Sequence, residues 1–365
     1  MNLKTLLLSA AAAMALLGFA QAPAWAQDDD CVTVVGDESS GEKQSADPAD
    51  MWSGDDALHV WPHYNRLLNG DSNFNLEPEL AESWEVSPDG KTWTFHLRQG
   101  VTFHDGKPLV AADVVYTFRR LIDPATNSGA ASLMSFLTPE GIVAVDDATV
   151  TMTTAEPVVE LPQLITNKFT HIVQDGAKTE DLKAGKSPGT GPFMIEKFVP
   201  GEPIRILRRY DGYWRGAAAS PCIKAIVVQE PATAMAAIKS GEADVLLSVS
   251  PTIIPALKED SSVTLQATAA STSYVITMWT DTPPFDDVRV RQAFKLVVDR
   301  QAMVDNVFLG FAEPGNDNPV PLGSAVASRR SRARATSRRP RPCWPRPATR
   351  AASRSTSTPP RSSPA

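Results

Sequence analysis

Between Leu80 and Arg120 the chain reads LAESWEVSPDGKTWTFHLRQGVTFHDGKPLVAADVVYTFRR, and the spacing of its apolar residues leaves little freedom. Trp93, Phe95 and Leu97 recur at every second position, the period of a strand with one buried face. Trp84 and Val86 point to one face of a preceding strand. Between the two runs, Ser87-Pro88-Asp89-Gly90 supplies a turn whose glycine can take the left-handed conformation a tight hairpin needs. Val101 and Phe103 continue the pattern and His104-Asp105-Gly106-Lys107 turns again. The period then changes: Val114, Val115, Phe118, Leu121 and Ile122 form a helical stripe. The block predicts two turns, a sheet and a helix packed on it.

Similar signals run along the rest of the chain. A first strand, Cys31 to Val35, opens into a polar loop, GDESSGEKQSADP. In open α/β sheets ligands sit at the carboxyl ends of strands, so this loop is a candidate pocket wall. His59 to Leu68 reads as a helix. His59 and His63 stand four apart, a spacing that could hold a metal, but Pro62 between them and the lack of a nearby third ligand argue for ordinary packing or surface histidines. A hairpin follows around Asp146-Asp147, then a polar, lysine-rich stretch from Asp175 to Lys186. Gly189-Thr190-Gly191-Pro192-Phe193 restarts strand structure; its glycines can serve as a hinge or simply as a tight turn. Strands Phe193–Phe198 and Ile204–Arg208 flank a Pro200-Gly201 turn. A strand from Ile223 to Gln229 leads into a helix opened by Pro231 and closed near Gly241, with Met235 and Ile238 inward, and Ala243–Leu247 is the next strand. Beyond Trp279, Val290, Phe294 and Val297 give a stripe expected to be buried. Asp299 caps a last helix that Gly310 ends, and Arg289 and Arg291 read as structural ion-pairing groups.

Cys31 and Cys222 each open an apolar strand-like run, CVTVV and CIKAIVV. In an oxidising compartment they form either a bridge between two adjacent strand starts or a pair of unpaired buried thiols. That compartment is indicated by the N-terminus. Lys4, the fifteen-residue apolar run Leu6–Ala20 and the small-x-small site Ala24-Trp25-Ala26 read as a secretory signal over residues 1–26, cleaved near Ala26. The run falls short of the roughly twenty residues needed to span a bilayer. Cys31 follows three aspartates instead of a lipobox, which argues against a lipid anchor.

Charge divides the chain. The last 42 residues hold 11 arginines and no acid; removing them from the 35 basic groups leaves 24 against 42 acidic groups, a net of −18 over residues 1–323. A body this acidic argues against nucleic acid or an anionic membrane as partner. From Ser324, Arg, Ser, Pro, Ala and Thr dominate and periodicity vanishes. A basic interaction tail is one reading. Another is a reading-frame slip near residues 323–330: moving PCWPRPATRAASRSTSTPP by one nucleotide under GC-rich codons gives approximately LLAEAGYPGGIEVDLYT, a helix followed by a strand.

These segments resemble the family 5 extracellular solute-binding proteins, the peptide-, nickel- and oligosaccharide-binding subunits of bacterial ABC importers. The Leu80–Arg120 block matches almost every fixed position of the family signature. GTGPF at Gly189–Phe193, YDGYWRG at Tyr210–Gly216, GEADV at Gly241–Val245 and TDTPPFDDVRVRQA from Thr280 carry the likeness on. Val110 stands where the family usually caps its helix with Thr or Ser, a loss of about 1 kcal/mol that Asp113 offsets through the helix dipole. Asp281 replaces the more usual Asn. The shifted-frame string is also what the family reads at that point.

The resemblance implies an α/β fold, periplasmic binding protein type II-like, of two lobes plus an extra lobe, incomplete here. Lobe I is expected over 27–65 and 189–268, lobe II over 66–188, the start of lobe III over 269–323, and an out-of-frame disordered tail over 324–365. Without the remaining strands the chain is expected to expose apolar surface and sheet edges and to fold poorly. The implied function is a monomeric periplasmic receptor that closes by a hinge on an oligopeptide or dipeptide and docks on inner-membrane permease subunits, with no cofactor and no metal. Expected ligand contacts are Glu38, Ser39 and Ser40 after the first strand, Ser248 after GEADV, and Trp279 with Thr280 ahead of PPFDD. Same-fold binding of nickel, heme or oligosaccharide is an alternative. So is a secreted hydrolase, although the chain has no G-x-S-x-G elbow, no H-E-x-x-H and no catalytic histidine spacing.

Overall fold

The computed structural model describes residues 31–36, 41–52, 54–71, 75–266, 274–315 and 317. The signal segment 1–26, Glu38, Ser39, Ser40 and the tail 324–365 lie outside the described residues. The described chain forms two units, one within Met1–Asp71 and Asn75–Leu265, the other within Gln266–Ala365.

The first unit runs β1 (Cys31–Gly36), α1 (Ala57–His63), β2 (Leu68–Gly70), β3 (Leu76–Pro78), β4 (Ala81–Val86), β5 (Thr92–Leu97) and α2 (Ala111–Ile122). It continues with β6 (Ile142–Asp146), β7 (Thr149–Thr153), α3 (Leu161–Leu164), α4 (Thr179–Lys183), β8 (Phe193–Lys197) and β9 (Ile204–Arg209). Then come β10 (Cys222–Val227), α5 (Pro231–Ser240), β11 (Val245–Leu246) and α6 (Ile254–Lys258). Two larger sheets result, one ordered β11-β1-β10-β9-β8 and one ordered β4-β5-β7-β6.

The four-stranded sheet is antiparallel, and its buried face is the period-two run of the sequence. Trp93, Phe95 and Leu97 are buried with Val150, Met152 and Ile142, and the Val114, Val115, Phe118 and Leu121 stripe of α2 belongs to the same core. Gly90 takes φ 72° and Gly106 φ 85°, as their turns require. Val86, on β4, is 45% exposed. β4 is the sheet edge, a register shift between Ala81 and Ser83 interrupts its alternation, and α2 packs over β6 and β7 on the far side. Val110 does precede α2 without a side-chain cap. The Asp113 carboxylate accepts the Val110 N–H at 2.8 Å and the Asp175 N–H at 2.8 Å, so it compensates by direct bonds as well as by its charge.

The helix expected over His59–Leu68 is α1 and stops at His63. Tyr64 turns extended at φ −120° and ψ 158°. The Glu79 carboxylate then accepts Asn65 Nδ2–H at 2.8 Å and the Arg66 N–H at 3.0 Å, drawing the chain out toward β2.

In the five-stranded sheet β1 lies parallel between β10 and β11, while β9 and β8 add antiparallel strands beyond β10. Cys31 stands opposite Cys222 in the β1–β10 register, and their sulfurs are bonded at 1.97 Å. Val35, Ile226, Ala234 and Ala243 make this sheet's core. Ala234, one position before the expected Met235, is therefore the residue of α5 that points fully inward; Met235 and Ile238 are half-buried.

The second unit holds α7 (Val288–Val297) and α8 (Arg300–Asn306). Asp287 accepts the Arg289 N–H at 2.8 Å and Asp299 the Ala302 N–H at 3.0 Å, so both N-caps are made. The stripe expected to be buried is not. Phe294 is 42% and Val297 82% exposed. Burial needs an opposing layer, and among the described residues of this unit Val304 is the one buried apolar side chain. No described helix is long and apolar enough to cross a membrane.

Candidate functional site

The carboxyl ends of the three parallel strands β1, β10 and β11 lie side by side. The Val228 N–H donates to Gly36 O at 2.8 Å and the Leu247 N–H to Val35 O at 2.9 Å, which fixes both exits beside the start of the loop after β1. Ser248, the next residue, is exposed and adopts φ 54°. A non-glycine residue in the left-handed region is held there by its surroundings and marks a place worth testing for function. Trp279 is 74% exposed and Thr280 is also exposed, both in the second unit. The predicted contacts thus fall in three places: Glu38, Ser39 and Ser40 outside the described residues, Ser248 at the parallel-strand ends, and Trp279 with Thr280 in the other unit. A depression of about 390 Å³ elsewhere in the first unit is lined by Lys239, Ala256, Glu259, Asp260 and Ser261 and includes none of them.

A second cluster, which sequence reasoning did not assemble, surrounds the GTGPF segment where the chain passes from the four-stranded to the five-stranded sheet. His63 lies at the end of α1 and His104 in the turn before α2. The His63 Nε2 bonds Ser187 O at 2.9 Å and its Nδ1 accepts the Ile195 N–H at 3.1 Å. The His104 Nε2 bonds Gly191 O at 2.9 Å and its Nδ1 accepts the Gly189 N–H at 3.1 Å. Main-chain bonds run alongside: Gly191 N–H to His63 O and His104 N–H to Gly189 O, each at 2.9 Å. The two rings meet edge to face at 4.7 Å, and Tyr210 stands against His104 at 4.9 Å.

The glycines are there for close approach. A Cβ on Gly189 would sit 2.0 Å from His63 O, and one on Gly191 2.4 Å from Pro62 O. Neither has the positive φ of a left-handed turn. Both motifs, FHDG and GTGPF, were visible in the sequence; that they bond each other was not, because the contact spans more than eighty residues.

Burial governs the titration of these rings. Desolvation, reinforced by the neighbouring His104, lowers His63 from 6.5 to about 3, and desolvation lowers His104 to about 4. His59 is lowered to about 3 by burial and then by Arg205, and His171 to about 3 by burial and then by Arg66. His59 bonds Ser45 O at 3.0 Å and stacks on Phe198 at 4.3 Å. Four of the five histidines are therefore neutral at pH 7 and bonded to backbone; among the described residues no group of three His, Cys, Asp or Glu could hold a metal.

The YDGYWRG segment is packing. The Trp214 Nε1–H donates to Asn65 Oδ1 at 3.3 Å, and the guanidinium groups of Arg98 and Arg215 lie 4.7 and 4.5 Å from its ring. Tyr210 donates to Phe103 O at 3.2 Å and bonds Thr102 Oγ1 at 3.0 Å.

Comparison with known proteins places the chain in context. A family model described as bacterial extracellular solute-binding proteins, family 5 Middle, matches residues 75–337. The chain is 30% identical over 281 residues to heme-binding protein A of Haemophilus influenzae, covering 71% of this chain and 51% of the relative. It is 30% identical over 308 residues to di/tripeptide-binding protein 1 of Pseudomonas aeruginosa, covering 78% and 57%. Among solved structures, NikZ from Campylobacter jejuni in complex with Ni(L-His) superposes with a TM-score of 0.70 at 21% identity, covering 80% of this chain and 57% of that one, a likeness of fold. The chain spans about half the length of the curated relatives it matches.

Proposed function

The chain belongs to the family 5 bacterial extracellular solute-binding proteins, and from that premise we propose that it is the ligand-capturing component of an ABC importer, acting in the periplasm on di- or oligopeptides and handing them to a membrane permease. The observation that carries this reading is the family match over residues 75–337. Its relatives include a di/tripeptide-binding protein at 30% identity. Residues 1–26 would direct export. Closure would be driven by the difference in ligand affinity between open and closed forms.

Chemistry in the first unit favours peptide over heme or nickel. Of the five histidines, His59, His63, His104 and His171 already bond main-chain groups. His63 and His104 have no ring nitrogen left for iron or nickel, and His59 and His171 are buried. A peptide needs only main-chain donors and acceptors and tolerates varied side chains. Ser248 at the parallel-strand ends, Glu38, Ser39, Ser40, Trp279 and Thr280 are the proposed contacts to such a ligand. A hydrolase with a histidine base would need an accessible ring nitrogen free to accept a proton; His63 and His104 have both nitrogens engaged, and His59 and His171 are buried.

Native mass spectrometry of the exported chain with a mixed di- and tripeptide library, heme and nickel–histidine as competitors tests the proposal. Saturable peptide binding without turnover is expected. Capture of heme or the nickel chelate alone, or cleavage of the peptides, refutes it.

A further inference from the structure

We propose that His63 and His104 form a proton-operated latch: as neutral Nε2–H imidazoles they hold the crossing segment 187–195 against α1 and the His104 turn, and protonation of either ring releases it. This device goes beyond ligand capture and does not depend on which ligand is bound.

The geometry carries it. Each ring uses both nitrogens on the same short segment, donating from Nε2 to a carbonyl and accepting at Nδ1 from an amide. Only one tautomer satisfies all four bonds. A proton added at either Nδ1 would point a second N–H at an amide N–H, turning an attraction into a donor–donor clash in a buried site. The segment cannot slide to relieve it, because Gly189 and Gly191 already lie flush on the main chain of Pro62 and His63.

The surroundings offer little to stabilise a cation. From α1 the facing titratable group is His59, which is itself lowered by burial and Arg205; Tyr64 follows at the helix end. Tyr210 faces His104, its hydroxyl engaged by Thr102 and Phe103. Asp105 is the one carboxylate that acts on His104, and it is shared with Lys107 and Gln174. His63 and His104 lie ring to ring, so the first proton also disfavours the second. Burial keeps both rings neutral down to about 4 for His104 and about 3 for His63, whereas a released ring titrates near 6.5.

Linkage then sets the response. Below the released pKa and above the latched one, the open fraction of the segment grows about tenfold per pH unit for each ring freed, about a hundredfold for both. Amide hydrogen exchange of Gly189 and Ile195, corrected for intrinsic rates and measured without ligand between about pH 6 and pH 4, should lose protection at that pace. Amides of the four-stranded sheet, which exchange on global unfolding, should stay better protected than these two at each pH across that window. His104→Gln, which can still donate to Gly191 O but cannot titrate, should reduce the dependence to about tenfold per unit. Long-range nitrogen–proton NMR of the unaltered chain near pH 6 should show both rings as neutral Nε2–H tautomers. A cationic ring or an Nδ1–H tautomer there overturns the latch even if the variant fails to fold. So does protection at Gly189 and Ile195 that tracks the sheet at every pH. Both readouts are taken without ligand, so they stand or fall separately from the peptide assignment.

Discussion

Removing Arg120 should destabilise the first unit more than any surface change, because of what it leaves behind. Asp47 is fully buried and the Arg120 side chain is 9% exposed. The guanidinium grips the carboxylate with two nitrogens, one at 2.9 Å from Oδ1 and the other on Oδ2. This pair ties the segment that follows β1 to helix α2 of the other sheet. Asp47 Oδ1 also accepts the Ala49 N–H at 3.0 Å, and Ser45 Oγ accepts the Asp47 N–H at 3.2 Å. In Arg120→Met the carboxylate keeps one main-chain donor and loses its counter-charge, so the expected cost is about 3–5 kcal/mol. Asp47→Asn retains the cap on Ala49 and strands the guanidinium instead. The double variant holds no buried charge, so its cost should fall below the sum of the two single costs by about 2 kcal/mol or more. Urea unfolding followed by tryptophan fluorescence and circular dichroism at pH 7 measures all four corners of the cycle. A single Arg120→Met cost under about 1 kcal/mol, or strict additivity, refutes the reasoning: the pair would then behave like a solvated surface bridge.

Four further outcomes follow from the same physics. His59, His63, His104 and His171 have folded pKa values below the ordinary 6.5, so the unfolded chain takes up their protons first; stability is full above about 6.5 and falls as pH drops toward 4, at up to about 1.4 kcal/mol per pH unit for each ring. Urea midpoints that rise on acidification across that window contradict it. Cys31→Ala with Cys222→Ala opens a link between positions 191 apart, with an expected loss of about 2–5 kcal/mol, and thiol titration of the denatured, unreduced chain should find neither cysteine free. Gly191→Ala should cost about 1–3 kcal/mol, since the new Cβ meets the backbone oxygen of Pro62, whereas Gly315→Ala, with open space around it, should leave the melting temperature unchanged. Resequencing the locus around codons 323–330 should restore a helix-then-strand continuation in one frame; an unbroken frame as written rejects the slip.

What could be read from the sequence was the part that depends on neighbours in the chain. The alternation of Trp93, Phe95 and Leu97 and the stripe from Val114 to Leu121 needed only side-chain period, and both are buried as expected. Gly90 and Gly106 needed only turn chemistry. Val86 lies open because an edge strand far from α2 has no cover, which no local period reports. The helix from His59 ended early because Glu79 collects Asn65 and Arg66, fourteen and thirteen residues before it. Val297 has the spacing of a buried residue and lacks the layer to bury it. His59 and His63 were weighed as a metal pair on the strength of their spacing. Their partners, Ser45, Ser187 and Ile195, lie fourteen to more than a hundred residues away.

The division between the two sheet cores and the joint that links them has a mechanical meaning. One core lies beneath the four-stranded sheet and another inside the five-stranded one. Apolar burial is non-directional, so each core fixes the integrity of its own layer but only loosely its orientation toward the other. The joint between them combines a small apolar cluster of Met51, Val60, Tyr64, Val173 and Leu182 with directional bonds: His63 and His104 on the crossing segment, Asp47 on Arg120, Trp214 on Asn65. Hydrogen bonds weaken steeply with angle, so these contacts set how the two sheets face each other. Substitutions in the cores should therefore lower stability with the joint unchanged. Substitutions in the joint should alter exchange and ligand affinity together, in addition to any loss of stability such as that expected of Arg120→Met.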